Sequence, residues 1–442
     1  MIKRIALISE HASPLAALGG VDCGGQNVYV AQVALALAAR GHHVDVFTRR
    51  DDVQQPRIVR WARGVRVIHV EAGPARPVPK EELLAWMPEF AADVVSLVEE
   101  QGLSYDVAHA NFFMSGMVAE ALEDATGTPF VVTFHALGRV RRLYQGAADA
   151  FPPERELIEQ RLVTRAACVI AECPQDALDL IAHYHAPAHR MTVIPCGVDL
   201  ERFHPVPRAR ARQVLGLSET DRVLAQVGRM VPRKGVDDVI RAVGRLRRDH
   251  RIEAKLLVVG GDGEEETGPC APEQQRLRRV AREERVTDLV TFVGRRGGDA
   301  LRYFYSAADA FVSTPWYEPF GITPLEAMAC GTPVIGSAVG GIRYTVVDGE
   351  TGFLVPPRDP DAIAACAARL FQDGALRHRL ARGGLARVRE KFQWSDVAAR
   401  LDAVYDRATT TIPSHEQGGT PDITAVRIAS TAAAPTMGEL EA

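Results

Sequence analysis

The feature that most constrains the fold is a series of short β-branched runs that alternate with helical stretches, and it occurs twice in the chain. The first series runs from a predicted strand at residues 4–9 to another at 192–195. The second runs from 223–227 to 333–337. Strands that alternate with helices in this way form parallel sheets with helices on both faces. The sequence therefore predicts an α/β protein with two doubly wound sheets.

A polar, proline-marked segment between the two series places the main domain boundary. Residues 198–207 carry charged side chains together with Pro205 and Pro207, a composition typical of linkers. We predict domains at 1–205 and 206–390, a helix at 391–408, and a disordered tail at 409–442, where few residues could be buried. Ligands of such sheets bind beyond the carboxyl ends of the strands, so we expect the site in a cleft between the two domains.

Composition excludes several classes of protein. The 442 residues carry a net charge of −4, which gives no electrostatic reason to expect a nucleic acid partner. No apolar run reaches the roughly 18 residues needed to span a membrane, and the first nine residues are too short and charged for a signal peptide. The seven cysteines are scattered without a Cys-x-x-Cys pair. We expect a cytoplasmic protein without a membrane span, and the oligomeric state is left open.

The strongest local motif places two carboxylates around a loop that turns into a helix, in Glu318-Pro-Phe-Gly-Ile-Thr-Pro-Leu-Glu326. Glu318 follows a predicted strand, and a carboxylate in such a loop can accept hydrogen bonds from hydroxyl groups, as sugar recognition requires. Glu326 has two interpretations. It is either a binding residue or the end of a capping box that begins at Thr323, with Pro324 at the first helical position.

Each predicted domain has a further motif after its first strand. Gly228-Arg229-Met-Val-Pro-Arg-Lys234-Gly offers a guanidinium and an ammonium group suited to phosphate oxygens, although a solvated basic turn would have the same sequence. Gly24-Gly25 opens a predicted helix, and free N–H groups at a helix N-terminus bind anions. The full Gly-x-Gly-x-x-Gly fingerprint of dinucleotide-binding proteins is missing there, which disfavours an NAD enzyme.

Taken together, the three motifs resemble those of glycosyltransferase family 4, a group of retaining enzymes with the GT-B fold of two facing Rossmann-like domains. The resemblance covers residues 4 to 405. Five shorter motifs support it: Thr133-Phe-His-Ala-Leu-Gly138, Ile194-Pro-Cys-Gly-Val-Asp199, Gly260-Gly-Asp-Gly263, Ala329-Cys-Gly-Thr-Pro-Val334 and Gly340-Gly341. The opening Gly19-Gly-Val-Asp-Cys-Gly-Gly-Gln-Asn-Val-Tyr-Val30 is similar to the branch that contains sucrose-phosphate synthases and inositol-phosphate N-acetylglucosaminyltransferases.

The resemblance implies retaining transfer of a hexosyl group from a nucleotide sugar, with UDP favoured, to a hydroxyl acceptor such as a sugar or sugar phosphate. Arg229 and Lys234 would bind the diphosphate, Glu326 the ribose hydroxyls and Glu318 the donor sugar. His135 would lie near the reacting centre, so His135, Arg229, Lys234 and Glu318 are the expected catalytic residues. The implied donor site also includes Gly24, Gly25, Gly228, Arg295, Gly321 and Ile322. The helix at 391–408 would cross back to the first domain.

The implied acceptor site departs from the branch. Its expected residues are Gln26, Asn27, Lys80, Asn111 and Arg155. Sugar-phosphate users of the branch would have His-x-His-Tyr where this chain has His109-Ala-Asn-Phe112, so the hydroxyl that could contact an acceptor phosphate is absent. Lys80 and Arg155 could still serve a phosphate, or they could be ordinary surface charges.

No cofactor is expected to be required, although a non-essential divalent cation could accompany the donor. We expect no metal site: His183, His185 and His189 look like surface histidines, and Asp359-Pro-Asp361 is explained by helix capping. Two alternative functions stay open. One is a catalytically inactive sensor that binds a sugar nucleotide, and the other is a phosphorylase or epimerase with the same two-domain fold.

Overall fold

The computed structural model describes residues 1–16, 24–261 and 271–410. The strands, in chain order, are β1 Arg4–Ile8, β2 His43–Arg49, β3 Ile58–Ala62, β4 Val65–Val70, β5 Val107–Asn111, β6 Phe130–Thr133, β7 Cys168–Ala171, β8 Met191–Val193, β9 Arg222–Val227, β10 Ala254–Val259, β11 Val290–Gly294, β12 Ala310–Ser313, β13 Val334–Ser337 and β14 Gly352–Val355. The helices are α1 Gly25–Ala39, α2 Met87–Glu100, α3 Phe113–Thr126, α4 Gly138–Gln145, α5 Glu154–Arg165, α6 Pro174–Tyr184, α7 Arg208–Val214, α8 Val236–Asp249, α9 Pro272–Glu283, α10 Gly298–Ala307, α11 Ile322–Ala329, α12 Ile342–Thr345, α13 Pro360–Gln372, α14 Gly374–Lys391 and α15 Trp394–Thr410.

The strands form two sheets, and this confirms the predicted α/β class. The first has the order β3-β4-β2-β1-β5-β6-β7-β8 and the second β11-β10-β9-β12-β13-β14. Every pairing is parallel except that of β3 with β4, which is antiparallel. The sequence analysis missed β3 and β14. β3 is a half-exposed edge strand that carries Arg60 and Trp61, and β14 is a four-residue strand that begins at a glycine.

Each sheet has a topological switch point, where the connections from two neighbouring strands leave towards opposite sides of the sheet. In the first sheet this point lies between β1 and β5, and in the second between β9 and β12. Loops that diverge at such a point open a crevice at the carboxyl ends of the strands. The Arg229–Lys234 loop follows β9 and the Glu318 loop follows β12. The fold therefore brings these two motifs to the same crevice.

The chain passes between the two sheets at two places that lie side by side. The backbone N–H of Val198 donates to the carbonyl of Phe392 at 2.8 Å, so the segment leading into the second sheet contacts the segment that returns from it. Gly197 is needed there, because a Cβ atom would lie 2.6 Å from the ring of Trp394. Residues Met1–Thr410 form one compact unit. The predicted domain boundaries stay predictions, and residues 411–442 of the predicted tail lie outside the described residues.

An ion-pair network attaches α15 to the first sheet. The side chain of Lys3 is only 5% exposed, and its Nζ atom lies 2.6 Å from Asp402 and 2.7 Å from Asp406. Arg40, just after α1, pairs with Asp402 at 2.9 Å. Burial would raise the pKa of Asp402, but the bonds from Lys3 and Arg40 outweigh it and lower that pKa to about 2. Asp402 is thus the shared partner of two cations, whereas Asp406 is 60% exposed.

Among the described residues, no helix is both long and apolar enough to cross a membrane.

Asp402→Ala is expected to lower the free energy of unfolding by about 1–3 kcal/mol, because two hydrogen-bonded cations lose their common partner. Asp406→Ala is the matched control and should cost about 0–1 kcal/mol, as exposed ion pairs usually do. Urea unfolding of both variants measures the difference. Equal losses would show that the network does not hold α15 in place.

Candidate active site

A cavity lies between the loops of the two sheets, and we call it the central cavity. Residues from both halves of the chain line it: His11, Gly24, Gly25, Gln26, Asn27, Lys80, Phe112, His135, Ala136, Arg141, Glu172, Cys196, Arg229, Arg233, Tyr317, Glu318, Pro319, Phe320, Gly321 and Ile322. A second opening, the side cavity, shares several of these residues. It is lined by Gly24, Gly25, Val28, Val227, Gly228, Arg229, Arg233, Lys234, Val259, Gly260, Gly261, Arg295, Arg296, Gly298, Leu301, Glu318, Gly321, Ile322, Thr323 and Glu326. Every donor-site residue predicted from the sequence lines at least one of the two.

The loop that carries Glu318 is held against a pair of glycines. The N–H of Gly341 donates to the carbonyl of Glu318 at 3.0 Å. A Cβ atom on Gly340 would overlap the carbonyl of Glu318, and one on Gly341 would overlap the main chain of Phe320. The glycine pair therefore permits an approach of backbone to backbone that places Glu318 at the mouth of the cavities.

Helix α11 begins earlier than the capping-box interpretation requires. Its first residue is Ile322 and its N-cap is Gly321, with φ +90° and no side-chain cap. Thr323 and Pro324 consequently lie inside the first turn, so the capping box from Thr323 to Glu326 is wrong. Glycine is suited to this N-cap because other residues rarely adopt a positive φ.

Glu326 is instead a buried carboxylate at the wall of the side cavity. The hydroxyl of Tyr305 donates to its Oε2 atom at 2.6 Å. Burial raises the pKa of Glu326 to about 7, although Tyr305 and Arg202 act in the opposite direction. A carboxylate with this pKa changes its charge near neutral pH, which makes the binding of hydroxyl groups here sensitive to pH.

Lys234 and Glu318 form an ion pair between the two loops at the switch point. Their side chains are 19% and 14% exposed. Burial lowers the pKa of Lys234, and the nearby Arg233 and Arg229 lower it further, against the effect of Glu318. Burial would raise the pKa of Glu318, but Lys234, Arg233 and Arg229 together hold it below its usual value. Glu318 is therefore ionised at neutral pH and fixed in position.

Three arginines add positive charge to the walls of the two cavities. Arg229 lies beside α1, since its Nε atom would be 3.7 Å from a Cβ on Gly24. The guanidinium of Arg233 lies over the ring of Tyr317, 5.1 Å from its centroid. Among the described residues, Arg233 Nη1 and Arg295 Nε are buried donors without a hydrogen-bond partner. Buried donors of this kind need partners, and an anionic ligand in the cavities would supply them.

His135 lies in the central cavity between two polar partners from the first sheet. Its Nδ1 atom is 3.0 Å from Glu172 Oε1, and its Nε2 atom is 3.1 Å from Asn111 Oδ1. The backbone of His135 adopts φ +58°, which is uncommon for a residue with a side chain. Both ring nitrogens are occupied by the protein. His135 can therefore shape the cavity, but it cannot accept a proton from a ligand while these bonds persist.

The expected acceptor-site residues separate into two groups. Gln26, Asn27 and Lys80 line the central cavity, and Lys80 pairs with Glu81 at 3.2 Å. Asn111 and Arg155 do not line it. Asn111 is buried, with its amide nitrogen 3.3 Å from the carbonyls of Ile8 and His109.

Arg155 has a structural environment. Its side chain is 1% exposed and its Nε atom bonds Glu159 at 2.7 Å. Its guanidinium packs over three aromatic rings, among them Phe112 at 4.8 Å from the centroid. The guanidinium thus lies behind the wall of the cavity, and its Nη1 atom, like that of Arg233, is a buried donor without a hydrogen-bond partner among the described residues.

Sequence reasoning missed several polar residues at the site. His11 and Glu172 line the central cavity, Glu10 contacts His11, and Tyr305 contacts Glu326. Glu10 and Glu172 each come soon after a strand of the first sheet, so their positions beyond strand ends could have identified them. Tyr305 lies inside α10 and carries no such signal.

Two family models match the chain and divide it between them. The model described as Glycosyltransferase Family 4 matches residues 23–202, and the one described as Glycosyl transferases group 1 matches residues 207–387. The D-inositol 3-phosphate glycosyltransferase of Actinosynnema mirum is 38% identical over 410 residues, which are 92% of this chain and 98% of that protein. The chain belongs to glycosyltransferase family 4. The prediction of a glycosyltransferase is thereby confirmed.

Another relative and two solved structures are similar over comparable lengths. The D-inositol 3-phosphate glycosyltransferase of Acidothermus cellulolyticus is 38% identical over 91% of this chain and 90% of its own. The structure of a sucrose-phosphate synthase from Thermosynechococcus elongatus superposes with a TM-score of 0.84 and 36% identity, over 92% and 98% of the two chains. The HepE protein of Anabaena, in complex with UDP and glucose, has a TM-score of 0.71 at 20% identity, over 91% and 99%. These structures confirm the GT-B fold.

Gly341→Ala is expected to displace the Glu318 loop, because the added Cβ overlaps the main chain of Phe320. Overpacking of this kind costs about 1–3 kcal/mol of stability, and a misplaced site residue costs about a hundredfold in rate. Thermal unfolding and the rate of nucleotide release measure the two effects. Gly374→Ala is the control, because a Cβ there meets nothing within 4 Å. Normal nucleotide release by Gly341→Ala would contradict the role of the glycine pair.

Proposed function

We propose that this family 4 glycosyltransferase transfers a hexosyl group from a UDP-sugar, with retention, to a hydroxyl group of a sugar or cyclitol. The observation that carries the proposal is the Lys234–Glu318 pair, because it places one cation and one ionised carboxylate at the junction of the two cavities. The names of the relatives, which act on inositol phosphate or make sucrose phosphate, support a small polyol as the acceptor substrate.

The diphosphate of the donor would lie where the cations converge. Lys234, Arg229 and Arg233 line the side cavity together with Gly24 and Gly25 at the start of α1. Helix N-termini and guanidinium groups both stabilise phosphate oxygens. These groups would balance the charge that grows on the diphosphate as it departs. We therefore propose that no resident metal is required and that a divalent cation accompanying the donor is dispensable.

Glu326 and Glu318 would each bind the hydroxyl groups of a different part of the donor. Glu326 lies in the side cavity and would accept hydrogen bonds from the ribose. Glu318 lines both cavities and would accept hydrogen bonds from the sugar. Arg295 offers a buried donor at the same end as Glu326, where it would contact the nucleoside. The cytoplasm, where nucleotide sugars are made, is the compartment that this function requires.

Transfer would take place on the face from which the diphosphate leaves. The acceptor hydroxyl attacks the anomeric carbon as the bond between that carbon and the phosphate oxygen breaks. The electron pair leaves with the nucleoside diphosphate, and the hydroxyl proton passes to the departing phosphate oxygen. Holding the two substrates together in the right orientation supplies much of the rate enhancement over the uncatalysed reaction. His135, whose ring nitrogens are both occupied, would shape the sugar pocket and take no part in proton transfer.

The acceptor half of the central cavity contains two cations, Lys80 and Arg141, and each of them already pairs with a carboxylate, Glu81 and Asp149 respectively. Of the two residues expected to serve a phosphate, Lys80 lines the cavity and Arg155 does not. Phe112 supplies an apolar ring in place of a hydroxyl. The acceptor end is therefore better suited to an uncharged polyol than to its phosphate ester.

An assay of UDP release and product configuration tests the proposed function. UDP-glucose and UDP-N-acetylglucosamine are offered with matched acceptors, namely myo-inositol with D-inositol 3-phosphate and fructose with fructose 6-phosphate. We expect acceptor-dependent UDP release and an α-linked product. A β-linked product would exclude retention. Nucleotide binding without release would indicate an inactive sensor, and release of a free sugar phosphate from a disaccharide would indicate a phosphorylase.

Lys234→Ala is expected to reduce UDP release from UDP-glucose by about a hundredfold, as loss of one group that stabilises developing charge usually does. Lys255→Ala is the control, because Lys255 is 44% exposed and pairs with Asp221. Circular dichroism checks that both variants are folded. Unchanged turnover in a folded Lys234→Ala variant would remove Lys234 from the mechanism.

The affinity for UDP-glucose is expected to rise with pH through about 7, the pKa of Glu326. The ionised carboxylate accepts hydrogen bonds from the ribose, and below this pKa the group is protonated and accepts them less well. UDP-glucose is the suitable ligand because its diphosphate has no ionisation near neutral pH. Calorimetric titration of Glu326→Gln should show weaker binding without this pH dependence. A wild-type affinity that does not change across this range would contradict the assignment.

A further inference from the structure

Glu10 is a buried carboxylate at the switch point of the first sheet that the proposed mechanism does not use. It is 0% exposed and follows β1 by two residues. The hydroxyl of Ser115, in α3, donates to its Oε2 atom, and the N–H of Glu10 donates to the Ser115 hydroxyl oxygen at 3.2 Å. Its Oε1 atom lies 2.7 Å from Nδ1 of His11. A buried carboxylate is costly unless it is paired, and both oxygens of Glu10 have partners.

His11 connects this carboxylate to the central cavity. It lines the cavity beside Phe112 and packs edge-on against that ring, with 5.0 Å between the ring centroids. An ionised carboxylate can only accept hydrogen bonds, so the Nδ1 atom of His11 is the donor in its contact with Glu10. Nε2, on the other side of the ring, has no hydrogen-bond partner among the described residues.

The second buried carboxylate–histidine pair at the site is arranged differently. Glu172 also contacts the Nδ1 atom of a histidine, His135, but the Nε2 atom of that ring is already bonded to Asn111. In the Glu10–His11 pair the corresponding nitrogen is left for a ligand. Of these two histidines in the cavity wall, only His11 can offer a ring nitrogen to a substrate.

We infer that Glu10 is a positioning residue that fixes His11 in the tautomer protonated at Nδ1, so that Nε2 accepts a hydrogen bond from a hydroxyl of the acceptor substrate. The hydrogen bond made by one ring nitrogen of a histidine sets the protonation of the other, and buried carboxylates orient catalytic histidines in the same way. The inference rests on the proposed function, since the ligand is its acceptor substrate. It also gives the acceptor end a preference, because a lone pair on Nε2 attracts a hydroxyl and repels a phosphate oxygen.

Nitrogen-15 NMR of the histidine side chains in the full-length protein tests the tautomer without any substrate. The signal of His11 is identified by its loss in His11→Asn. In the wild type we expect a protonated Nδ1 and an unprotonated Nε2. Glu10→Met replaces the partner of Nδ1 with an apolar side chain of similar size, which a buried site tolerates. This variant should allow the tautomer of His11 that is protonated at Nε2. Glu10→Gln keeps a carbonyl oxygen and should retain the wild-type signal.

Glu120→Met is the matched control, because Glu120 lies on the same helix as Ser115 and pairs with Arg161 and Arg165 away from the cavity. It should leave the His11 signal unchanged. A protonated Nε2 in the wild type, or a His11 signal that does not change in Glu10→Met, would overturn the inference.

Kinetics with an acceptor that supports transfer provide the second readout. Glu10→Met should raise the KM for the acceptor about tenfold, the usual effect of losing one oriented hydrogen bond, with a much smaller change in the KM for the UDP-sugar. Glu10→Gln should restore most of the acceptor affinity. Equal increases in both KM values would indicate a general structural role and contradict the inference. If the wild type releases no UDP, the proposed function fails, whereas the NMR result still decides the tautomer.

Discussion

The ion pair between Lys234 and Glu318 is the interaction on which the account of this site depends. The two residues belong to loops that follow β9 and β12, the strands on either side of the switch point in the second sheet. Without Glu318, Arg229 and Arg233 would repel the mostly buried ammonium group of Lys234. Without Lys234, a buried carboxylate would lose its direct partner. Each charge is stable where it lies because the other is present, and both are held at the junction of the two cavities.

The backbone conformation of the neighbouring loops determines where this pair lies. Gly340 and Gly341 allow the loop of Glu318 to pack against another main-chain segment, and Gly321 begins α11 in a conformation that other residues rarely adopt. On the opposite wall, Glu10 and Glu172 are carboxylates from strand ends of the first sheet, and each holds a histidine. The cleft therefore has cations from the loops of the second sheet on one side. On the other side it has two oriented imidazoles together with Lys80 and Arg141, which both pair with carboxylates. This arrangement is suited to the anionic leaving group and neutral nucleophile that we propose.

The sequence predicted the doubled α/β architecture and singled out loops that line the two cavities, because strand–helix alternation and glycine-rich strand ends are local signals. It did not resolve the role of Glu326, because the capping-box pattern depends on where α11 begins, and Gly321 rather than Thr323 is the N-cap. The acceptor end was the least predictable. Arg155 and Asn111 are polar residues that the fold buries behind the cavity, while His11 lines it and is held there by the buried Glu10. Which polar residues face a cleft is decided by tertiary packing, which no local pattern records.

The central claim is that this cleft binds a nucleotide sugar through its own cations. Thermal unfolding of the purified protein with UDP-, GDP- and ADP-sugars, each with EDTA present, tests it most directly. We predict stabilisation by UDP-sugars, unchanged by EDTA and lost in Lys234→Ala. Absence of stabilisation by any of the three, or stabilisation that requires an added divalent cation, would contradict the account.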